Sequence, residues 1–415
     1  MSKRYDLKLD RLEKATALTE HDYVPMAAAT IYFPAKLAGL SSEEVFYDNE
    51  KYSLAAEKFA QDYDWDAASF LRSFESIPLG LGLAAVNPEL AVQTAVLSVL
   101  GGGFAHDILK DCYSHQPGRE LDAQNESQFT IRKPLLTDSE FAAFVDDPIN
   151  FIAEVLTPRI YEALAHPGSA QATAALLATG KQVEITLNHV VNFSARMRTV
   201  DCPPWYMGLA PNPLDLVGAF FRDFDNFMVD MLERPEAVLK LCEQLAPVLL
   251  YVGKTTGELS YQLTGSRRVF MPCWYNGFLG PQQFRRFHWP FYRYIAEGLI
   301  EAGFTPLLSL QGSYDVHLET LRELPAGKFI AWFDKTDPNL VRQELGADIC
   351  IAAGISPASL IFAQPAEVRL AVQMLLTTMK KYPGFILTLP FNAIGPARPE
   401  NVWAMTEAAR VYGVY

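Results

Sequence analysis

The stretch TPLLSLQGSYDVHLETL, residues 305–321, joins a buried strand to a polar loop and then to a helical segment. Thr305 to Leu310 is a mostly apolar run, and Gln311 to Asp315 follows it with amide, hydroxyl and carboxyl groups. Apolar runs of this length that alternate with longer helical patterns are typical of βα units. Many enzymes place a metal ligand or an acid at such a junction, whereas here the first side chain is a neutral amide.

The same alternation extends in both directions from residues 305–321. We predict eight strands, at Tyr23–Ala28, Asp66–Leu71, Val183–His189, Arg268–Pro272, Phe304–Leu310, Lys328–Phe333, Asp348–Gly354 and Phe385–Leu389. Pro281–Ala302 and Glu367–Lys380 are predicted helices, because their apolar residues recur at helical spacing. Together these elements predict an α/β protein, a single (β/α)8 (TIM) barrel over residues 1–415. The long gap between the second and third strands predicts an insertion or an elaborated helical segment at about 76–180.

Composition and charge argue against several classes of protein. The chain has 415 residues, half of them hydrophobic, and a formal net charge of -13, which disfavours nucleic-acid binding. The most apolar stretch, Leu79 to Leu100, is broken by Asn87-Pro88-Glu89, which predicts two buried segments rather than a membrane helix. Five dispersed cysteines and a charged N-terminus predict a cytoplasmic protein without a signal peptide.

In a barrel of this type, functional residues follow the carboxyl ends of the strands. We therefore select polar and aromatic residues near these ends, together with the aromatic pair in CPPWYMG. The candidate catalytic residues are Gln311, Tyr314 and Asp315, and the candidate substrate-binding residues are His189, Trp205, Tyr206, Cys273, Trp274, Tyr275, Asn276 and Asn392. Aromatic walls suit a flat apolar substrate, and a tyrosine or a carboxyl group could hydrogen-bond a leaving group or act as a general acid.

Each candidate also has a purely structural interpretation. Trp274 and Tyr275 could be ordinary core side chains. Cys273 could be a small buried hydrophobe rather than a lone zinc thiolate or part of a substrate pocket. Asp315 could cap the helix that follows it, because aspartate is a favoured N-cap residue.

Four long segments resemble the uroporphyrinogen decarboxylase superfamily. They are APNPLDLVGAFFRDFDNFMVDMLERPEAVLKLCEQLAP (210–247), GPQQFRRFHWPFYRYIAEGLIEAG (280–303), ISPASLIFAQPAEVRLAVQMLL (355–376) and PARPENVWAMTEAARVYG (396–413). With DYVPMAAA and DYDWDAASF near the N-terminus, the resemblance covers nearly the whole chain. It implies a TIM-like barrel, in agreement with the strand count.

One branch of this family decarboxylates a tetrapyrrole without any cofactor, using a paired-arginine segment after the first strand and a late histidine. Here the segment after the first strand is ATIYFPAK, and Phe391-Asn392-Ala393 stands in place of the late GHG motif. Without the arginines, the carboxylates of a tetrapyrrole would lack their main charge partners. A tetrapyrrole decarboxylase, or a non-catalytic tetrapyrrole-binding relative, is therefore the alternative function.

The other branch moves methyl groups to or from corrinoid proteins, and its thiol-methylating members bind zinc through an H-x-C motif and a distant cysteine. The matching positions here are Ser309, Gln311 and Asn392, which are poor zinc ligands. Zinc is therefore not expected, and Cys273 is the residue to consider if it is found. Relatives with GSYD and KTD-like segments, as at 312–315 and 335–337, fit best, and some are thought to serve corrinoid-dependent demethylation.

The resemblance thus implies a methyltransferase component. It would exchange a methyl group between a small methylated compound, such as an aromatic methyl ether, and a cobalamin carried on a separate corrinoid protein. Because the reduced cobalt is the nucleophile, the barrel would mainly position the substrate and polarise the leaving group, which accommodates Gln311. The expected partners are that small molecule and the corrinoid protein, with no nucleic acid and no membrane, and a homodimer is a possible assembly. A non-catalytic scaffold that retains the barrel is a third possibility.

Overall fold

Strands and helices alternate through most of the chain. The computed structural model describes residues 3–69, 72, 76–84, 86–100, 102–130, 135–391 and 394–415. Within them the strands are β1 Ala27–Ala29, β2 Ala67–Ser69, β3 Ser114–His115, β4 Gln128–Phe129, β5 Gly208–Leu209, β6 Arg268–Cys273, β7 Thr305–Leu310, β8 Ile330–Phe333, β9 Cys350–Ala353 and β10 Phe385–Leu387.

Helices connect these strands and cover the sheet. In the described residues the α-helices are Lys3–Thr16, Tyr32–Ala38, Ser42–Tyr47, Asn49–Tyr63, Ile77–Leu83, Pro88–Leu100, Phe104–Leu109, Phe141–Asp146, Pro148–Phe151, Thr157–Ile160, Ala170–Thr199, Pro213–Val217, Phe224–Glu233, Pro235–Thr264, Pro281–Gln283, Trp289–Glu301, Pro338–Leu345, Pro357–Phe362, Pro365–Met379 and Pro399–Tyr412. π-Helical turns lie at Ile152–Leu156, Gly218–Arg222 and Phe284–His288, and 3-10 turns at Glu162–Leu164, Asn276–Phe278 and Asp315–Glu323. Among these helices, none is both long enough and apolar enough to cross a bilayer.

Two groups of parallel strands form the centre of the molecule. β5 to β10 make a six-stranded sheet in the order β10-β9-β8-β7-β6-β5, and β1 pairs with β2. A parallel bridge between Met26 and Leu387 joins β1 to β10, and the Ala68 N–H donates to the Pro203 carbonyl at 3.1 Å, next to β5. The fold is therefore α/β with the strand order of a TIM-like barrel, and the regular ladders are interrupted at these two joints.

The pairing register divides the side chains of the sheet between two faces. Pro272, Ser309 and Trp332 are paired neighbours on β6, β7 and β8, so their side chains share one face. We call this the inner face. Cys273 and Leu310 pair in the next row and point to the opposite side, the outer face, which is covered by helices.

Aromatic rings fill the inner face. The ring of Phe270 stacks on Tyr206 with centroids 4.4 Å apart and on Phe391 at 5.3 Å. Trp332 meets Trp205 at 6.1 Å, and both indoles are buried. The space between the strands is therefore a packed aromatic core below the carboxyl edge, as in barrels whose interior is filled by side chains.

Seven of the eight predicted strands overlap observed strands, and both predicted helices are confirmed with shifted ends. The strand predicted at Val183–His189 is wrong, because these residues lie inside helix Ala170–Thr199. Val183 and Val190 are buried at helical spacing, whereas Ile185 is exposed. The run alternates in the sequence, but a helix capped by the Ser169 side chain continues through it. The third strand of the parallel set is β5.

A buried ion pair joins the π-helical turn Gly218–Arg222 to helix Phe224–Glu233. Arg222 donates from Nε to one oxygen of Asp230 at 2.7 Å and from a terminal nitrogen to the other at 3.2 Å. Asp230 is fully buried and Arg222 nearly so. The same guanidinium donates to the Leu136 carbonyl at 2.8 Å, which ties residues 135–138 to this helix.

We expect Asp230→Ala to lower the free energy of unfolding by about 3 kcal/mol, because it leaves a buried guanidinium without its main partner. Urea unfolding measures the loss. Glu233→Ala is the matched control on an exposed position of the same helix and should cost under about 0.5 kcal/mol. Equal, small effects of the two variants would contradict a structural role for this pair.

Candidate active site

The loop after β7 is held by the loops on both sides of it. Gly312 has φ +71°, a backbone conformation that favours glycine. Its N–H donates to the Asp334 carboxylate at 2.8 Å. The Tyr314 N–H donates to the Thr336 hydroxyl at 2.7 Å. From the other side, the Asn276 side-chain amide donates to the Ser313 carbonyl at 3.1 Å. These bonds fix the carboxyl edge of β6, β7 and β8, which we call the mouth.

Gln311 lies at this mouth with an unused donor. It follows β7 two residues after Ser309, so strand alternation directs its side chain to the inner face. Its backbone N–H donates to the Cys273 carbonyl at 3.2 Å. Its side-chain nitrogen is buried and has no hydrogen-bond partner among the described residues. A buried donor without a partner is costly, so this amide is suited to receive a ligand oxygen or nitrogen.

The other two predicted catalytic residues lie in different surroundings. Tyr314 is fully buried, its hydroxyl is 3.0 Å from that of Thr320, and burial holds its pKa well above the usual value. Asp315 is exposed and begins the 3-10 turn Asp315–Glu323, in which Tyr314 occupies the N-cap position and no side chain makes a capping bond. The structure therefore brings Gln311 to the mouth, whereas Tyr314 lies in the core and Asp315 on the surface.

Trp205 and Tyr206 belong to the aromatic core of the inner face. The Trp205 carbonyl accepts a hydrogen bond from Arg268 Nε at 2.8 Å, at the amino end of β6. The Tyr206 hydroxyl is buried without a partner in the described part of the chain, and its pKa is held well above the usual value by burial. Tyr206 thus places a polar hydroxyl group within the aromatic core of the inner face.

The loop after β6 presents aromatic surface beside the mouth. Trp274 is half-buried, and its ring lies 6.4 Å from that of Phe220. Tyr275 lies against Gly218 so closely that a Cβ there would be 2.5 Å from Cε2 of the ring. Asn276 is buried; its amide nitrogen joins the loops after β6 and β7, whereas its Oδ1 has no hydrogen-bond partner among the described residues.

His189 and Asn392 complete the predicted set. His189 lies on helix Ala170–Thr199, where its ring is 6.0 Å from that of Phe193, and it does not follow a strand. Burial and then the charge of Arg72 lower its pKa to about 4, so it is neutral at pH 7. Asn392 lies outside the described residues.

Cys273 ends β6 on the outer face and is fully buried. Its Sγ lies 3.5 Å from His288 Nε2, which is 3.1 Å from an oxygen of Asp215. Burial, and then the charge of Asp215, hold the pKa of the thiol well above the usual value. Among the described residues, these three form the group whose donor atoms are close enough to hold a metal ion. The hydroxyl of Ser309 and the amide of Gln311, at the family positions, do not fit zinc.

A segment that sequence analysis did not assign to the site contacts the carboxyl edge beside the mouth. Residues 111–130, which we call the cover segment, contain the antiparallel pair β3 and β4. The Ser127 N–H donates to the Tyr32 hydroxyl at 2.9 Å, just after β1. The Tyr113 hydroxyl donates to the Phe220 carbonyl, after β5. The cover segment therefore contacts the carboxyl edge at two places, after β1 and after β5.

Glu126, on this segment, is an acidic group that no motif in the sequence identified. A Cβ built at Gly395, beyond β10, would lie 2.9 Å from Glu126 Oε1 and 3.6 Å from Tyr32 Cβ. Glu126 is exposed, yet partial enclosure by the surrounding protein raises the pKa of its carboxyl. No cation pairs with it within the described ranges. It is therefore a carboxyl group near β1 and β10 that retains its proton to higher pH than an ordinary glutamate.

A charged histidine joins the start of the cover segment to its middle. His106 Nδ1 lies 2.7 Å from the Asp111 carboxylate, and its Nε2 lies 3.1 Å from that of Glu120. Burial by itself would lower the pKa of His106, but the hydrogen bonds and charges of Asp111 and Glu120 outweigh it and raise the pKa to about 9. The imidazole is therefore protonated at neutral pH.

Because the pKa of His106 is higher in the folded than in the unfolded chain, its contribution to stability is fully present below about pH 6.5 and is lost as the pH rises through about 9. We expect His106→Gln to remove this part of the pH dependence in urea unfolding between pH 6.5 and 9.5. His166→Gln, at an exposed histidine, should keep it. An unchanged pH profile in His106→Gln would rule out the charged bridge.

Comparisons with known proteins match this arrangement of strands and loops. The family model for uroporphyrinogen decarboxylase (URO-D) matches residues 206–412, which include β5 to β10 and the loops of the mouth. The chain belongs to the URO-D superfamily. A search of curated protein sequences gave no match.

A solved structure extends the likeness beyond the URO-D match. A methyltransferase from Methanosarcina mazei superposes with a TM-score of 0.64 and 11% sequence identity, covering 98% of this chain and 98% of that one. At this identity the likeness concerns the fold, and it includes the N-terminal half of the chain, which the URO-D model does not match.

Proposed function

We propose that this URO-D superfamily protein is a methyltransferase component, which exchanges a methyl group between a small methylated compound and a corrinoid carried on a separate protein. The observation that carries the proposal is the charge of the mouth. At the mouth, Gln311 offers a neutral amide and Asp334 is acidic, and Glu126 adds an acidic group at the carboxyl edge near β1 and β10. Such a mouth suits an uncharged or weakly basic methylated compound better than a polycarboxylate.

Three cations near the carboxyl edge, among the described residues, donate to protein groups. The Lys36 ammonium donates to the Ala397 carbonyl at 2.9 Å, and Arg72 donates to the Val45 carbonyl at 2.9 Å. Arg119 pairs with Asp107 at 2.9 Å. Lys335 is exposed after β8, but one flexible ammonium does not replace a pair of guanidinium groups. Within the part of the chain that the structure describes, the carboxylates of a tetrapyrrole would therefore lack a pair of guanidinium partners.

The apolar surface beside Gln311 supports the same substrate class. Trp274 and Phe391 are half-buried aromatic residues that follow β6 and β10. Flat rings of this kind bind an apolar or aromatic compound, and a few polar groups among them fix its orientation. The Methanosarcina mazei protein of similar fold is a methyltransferase, which agrees with this proposal.

In the demethylation direction, the chain's own residues would orient the substrate and supply a proton. The bound corrinoid supplies the nucleophile for the methyl carbon. The amide nitrogen of Gln311 donates a hydrogen bond to the substrate oxygen or nitrogen. As the bond from that atom to the methyl carbon breaks, Glu126 gives it a proton, and the demethylated compound leaves as an alcohol, a phenol or an amine. The raised pKa of Glu126 favours this role, because the carboxyl group retains its proton to higher pH than an ordinary glutamate does.

The proposal includes the architecture and the setting of the enzyme. We propose that β1, β2 and β5 to β10 close into one (β/α)8 barrel. The Met26–Leu387 bridge and the Ala68–Pro203 hydrogen bond at its two joints support closure. A cytoplasmic location and a homodimer stay predictions from the sequence.

We expect Glu126→Gln to lower the rate of methyl transfer by about a hundredfold, the lower end of the usual contribution of a general acid. The measurement is the methylation of reduced cob(I)alamin, followed by absorbance, with a panel of aryl methyl ethers and methylamines. Asp122→Asn, an exposed acid on the same segment, is the control and should keep the wild-type rate. Release of carbon dioxide from a tetrapyrrole, without methyl transfer from any compound, would favour the alternative decarboxylase.

We expect Gln311→Ala to slow methyl transfer by about tenfold or more, because a hydrogen bond to a developing charge is lost. Tyr314→Phe should instead lower stability by about 1 kcal/mol and keep the rate, because the hydroxyl contacts Thr320 in the core. The two variants are compared by kcat and by thermal unfolding. A loss of rate in Tyr314→Phe as large as that in Gln311→Ala would support the sequence-based prediction that Tyr314 is catalytic.

A further inference from the structure

Three side chains of different chemistry converge on the outer face of β6. Asp215 lies on helix Pro213–Val217 after β5, Cys273 is the last residue of β6, and His288 ends the π-helical turn Phe284–His288. All three are 0% exposed. The chain thus brings a carboxylate, a thiol and an imidazole from three separate elements into one sealed position between the sheet and the helices.

The contacts of His288 do not match a set of ordinary hydrogen bonds. The Cys273 sulfur and the Asp215 oxygen both approach the same ring nitrogen, Nε2, at 3.5 and 3.1 Å. One imidazole nitrogen has either one proton or one lone pair, so it cannot serve both partners well. The other nitrogen, Nδ1, is buried and has no partner among the described residues.

The same contacts also differ from a nucleophilic relay. In a thiol or hydroxyl relay, the nucleophile and the carboxylate contact different nitrogens of the histidine, so that the proton can pass between them. Here both contact Nε2. Cys273 also points to the outer face, away from the mouth where a substrate would bind. The arrangement is therefore not that of a catalytic cysteine.

The separations suit three ligands of one metal ion. Zinc binds thiolate sulfur at about 2.3 Å and imidazole nitrogen or carboxylate oxygen at about 2.0–2.1 Å. With these bond lengths, the observed separations of 3.5 Å (S···N) and 3.1 Å (N···O) correspond to ligand angles of about 105° and about 100°, near the tetrahedral value. The third pair, sulfur and carboxylate oxygen, lies within 4.8 Å.

The surroundings provide the support and the charge that a divalent ion needs. Asp215 accepts the backbone N–H groups of Trp274 at 3.1 Å and Tyr275 at 3.2 Å, which orient its carboxylate as the second shell of a metal site does. A thiolate and a carboxylate together carry two negative charges. A divalent cation neutralises them in a position that water does not reach.

We propose that Asp215, Cys273 and His288 form a structural zinc site, separate from the family positions Ser309 and Gln311. Binding replaces the thiol proton with a bond from sulfur to the metal, and the proton is released to solvent. The ion would tie the end of β6 to the helix that begins at Trp289 and would hold the Trp274–Tyr275 loop beside the mouth. Among the described residues the ion has three protein ligands, and one water molecule enclosed with the ion as the chain folds would take the fourth position.

The test is metal binding by the full-length, untagged protein, produced in media supplemented with Zn²⁺ or with Co²⁺. We expect about one zinc per chain by elemental analysis. The cobalt form should have a thiolate-to-cobalt charge-transfer band in the near ultraviolet. Cys273→Ser should lose that band and at least nine-tenths of the metal. Cys350→Ser, a buried cysteine in β9, and Gln311→Ala should retain both.

A second measurement keeps the test valid if Cys273→Ser fails to fold. Wild-type protein refolded with a chelator should melt at a lower temperature than protein refolded with stoichiometric Zn²⁺. The cobalt charge-transfer band can also be measured on the wild-type protein alone. A wild-type protein that takes up neither ion on refolding overturns the proposal. Full zinc content in Cys273→Ser overturns it as well. These measurements do not involve methyl transfer, so they test the zinc site independently of the proposed function.

Discussion

The pairing of β6, β7 and β8 is the constraint on which the rest of the structure depends. Parallel strands in register place Pro272, Ser309 and Trp332 on one face and turn Cys273 to the other. A shift of one residue would exchange the two faces, which would bring the thiol into the mouth and Gln311 under the helices. The position of Gln311 on the inner face and that of the Asp215–Cys273–His288 cluster on the outer face are therefore two consequences of one register.

The cover segment adds what the strands cannot supply. The strand ends provide aromatic surface and the neutral amide of Gln311, whereas the cover segment brings the carboxyl group of Glu126 from a distant part of the sequence. Asp111 and Glu120, at its start and its middle, balance the charge of His106. The segment that carries Glu126 is thus joined to His106 by an ion network away from the mouth.

Much of the fold could be predicted from the sequence because strand and helix periods differ locally. The apolar runs of β6 to β10 and the polar residues that follow them were recognisable for this reason, and so was the position of Gln311. Val183–His189 was wrongly predicted as a strand because a run of seven alternating residues is also compatible with a helix. The helix is distinguished from a strand by its continuation from the Ser169 cap to Thr199. Glu126 gave no local signal, since its position depends on contacts with Tyr32 and Gly395, far away in the sequence.

The sequence by itself determined the α/β class, most of the strands, the family resemblance and the polar loop of residues 311–315, since each depends on local pattern or on contiguous motifs. The tertiary structure decided which of these residues meet. Tyr314 turned into the core, Glu126 came to the carboxyl edge, and Asp215 and His288 joined Cys273 beneath the helices. The physical reason is that side-chain convergence is set by strand register and helix packing between distant segments, and no local pattern of residues encodes it.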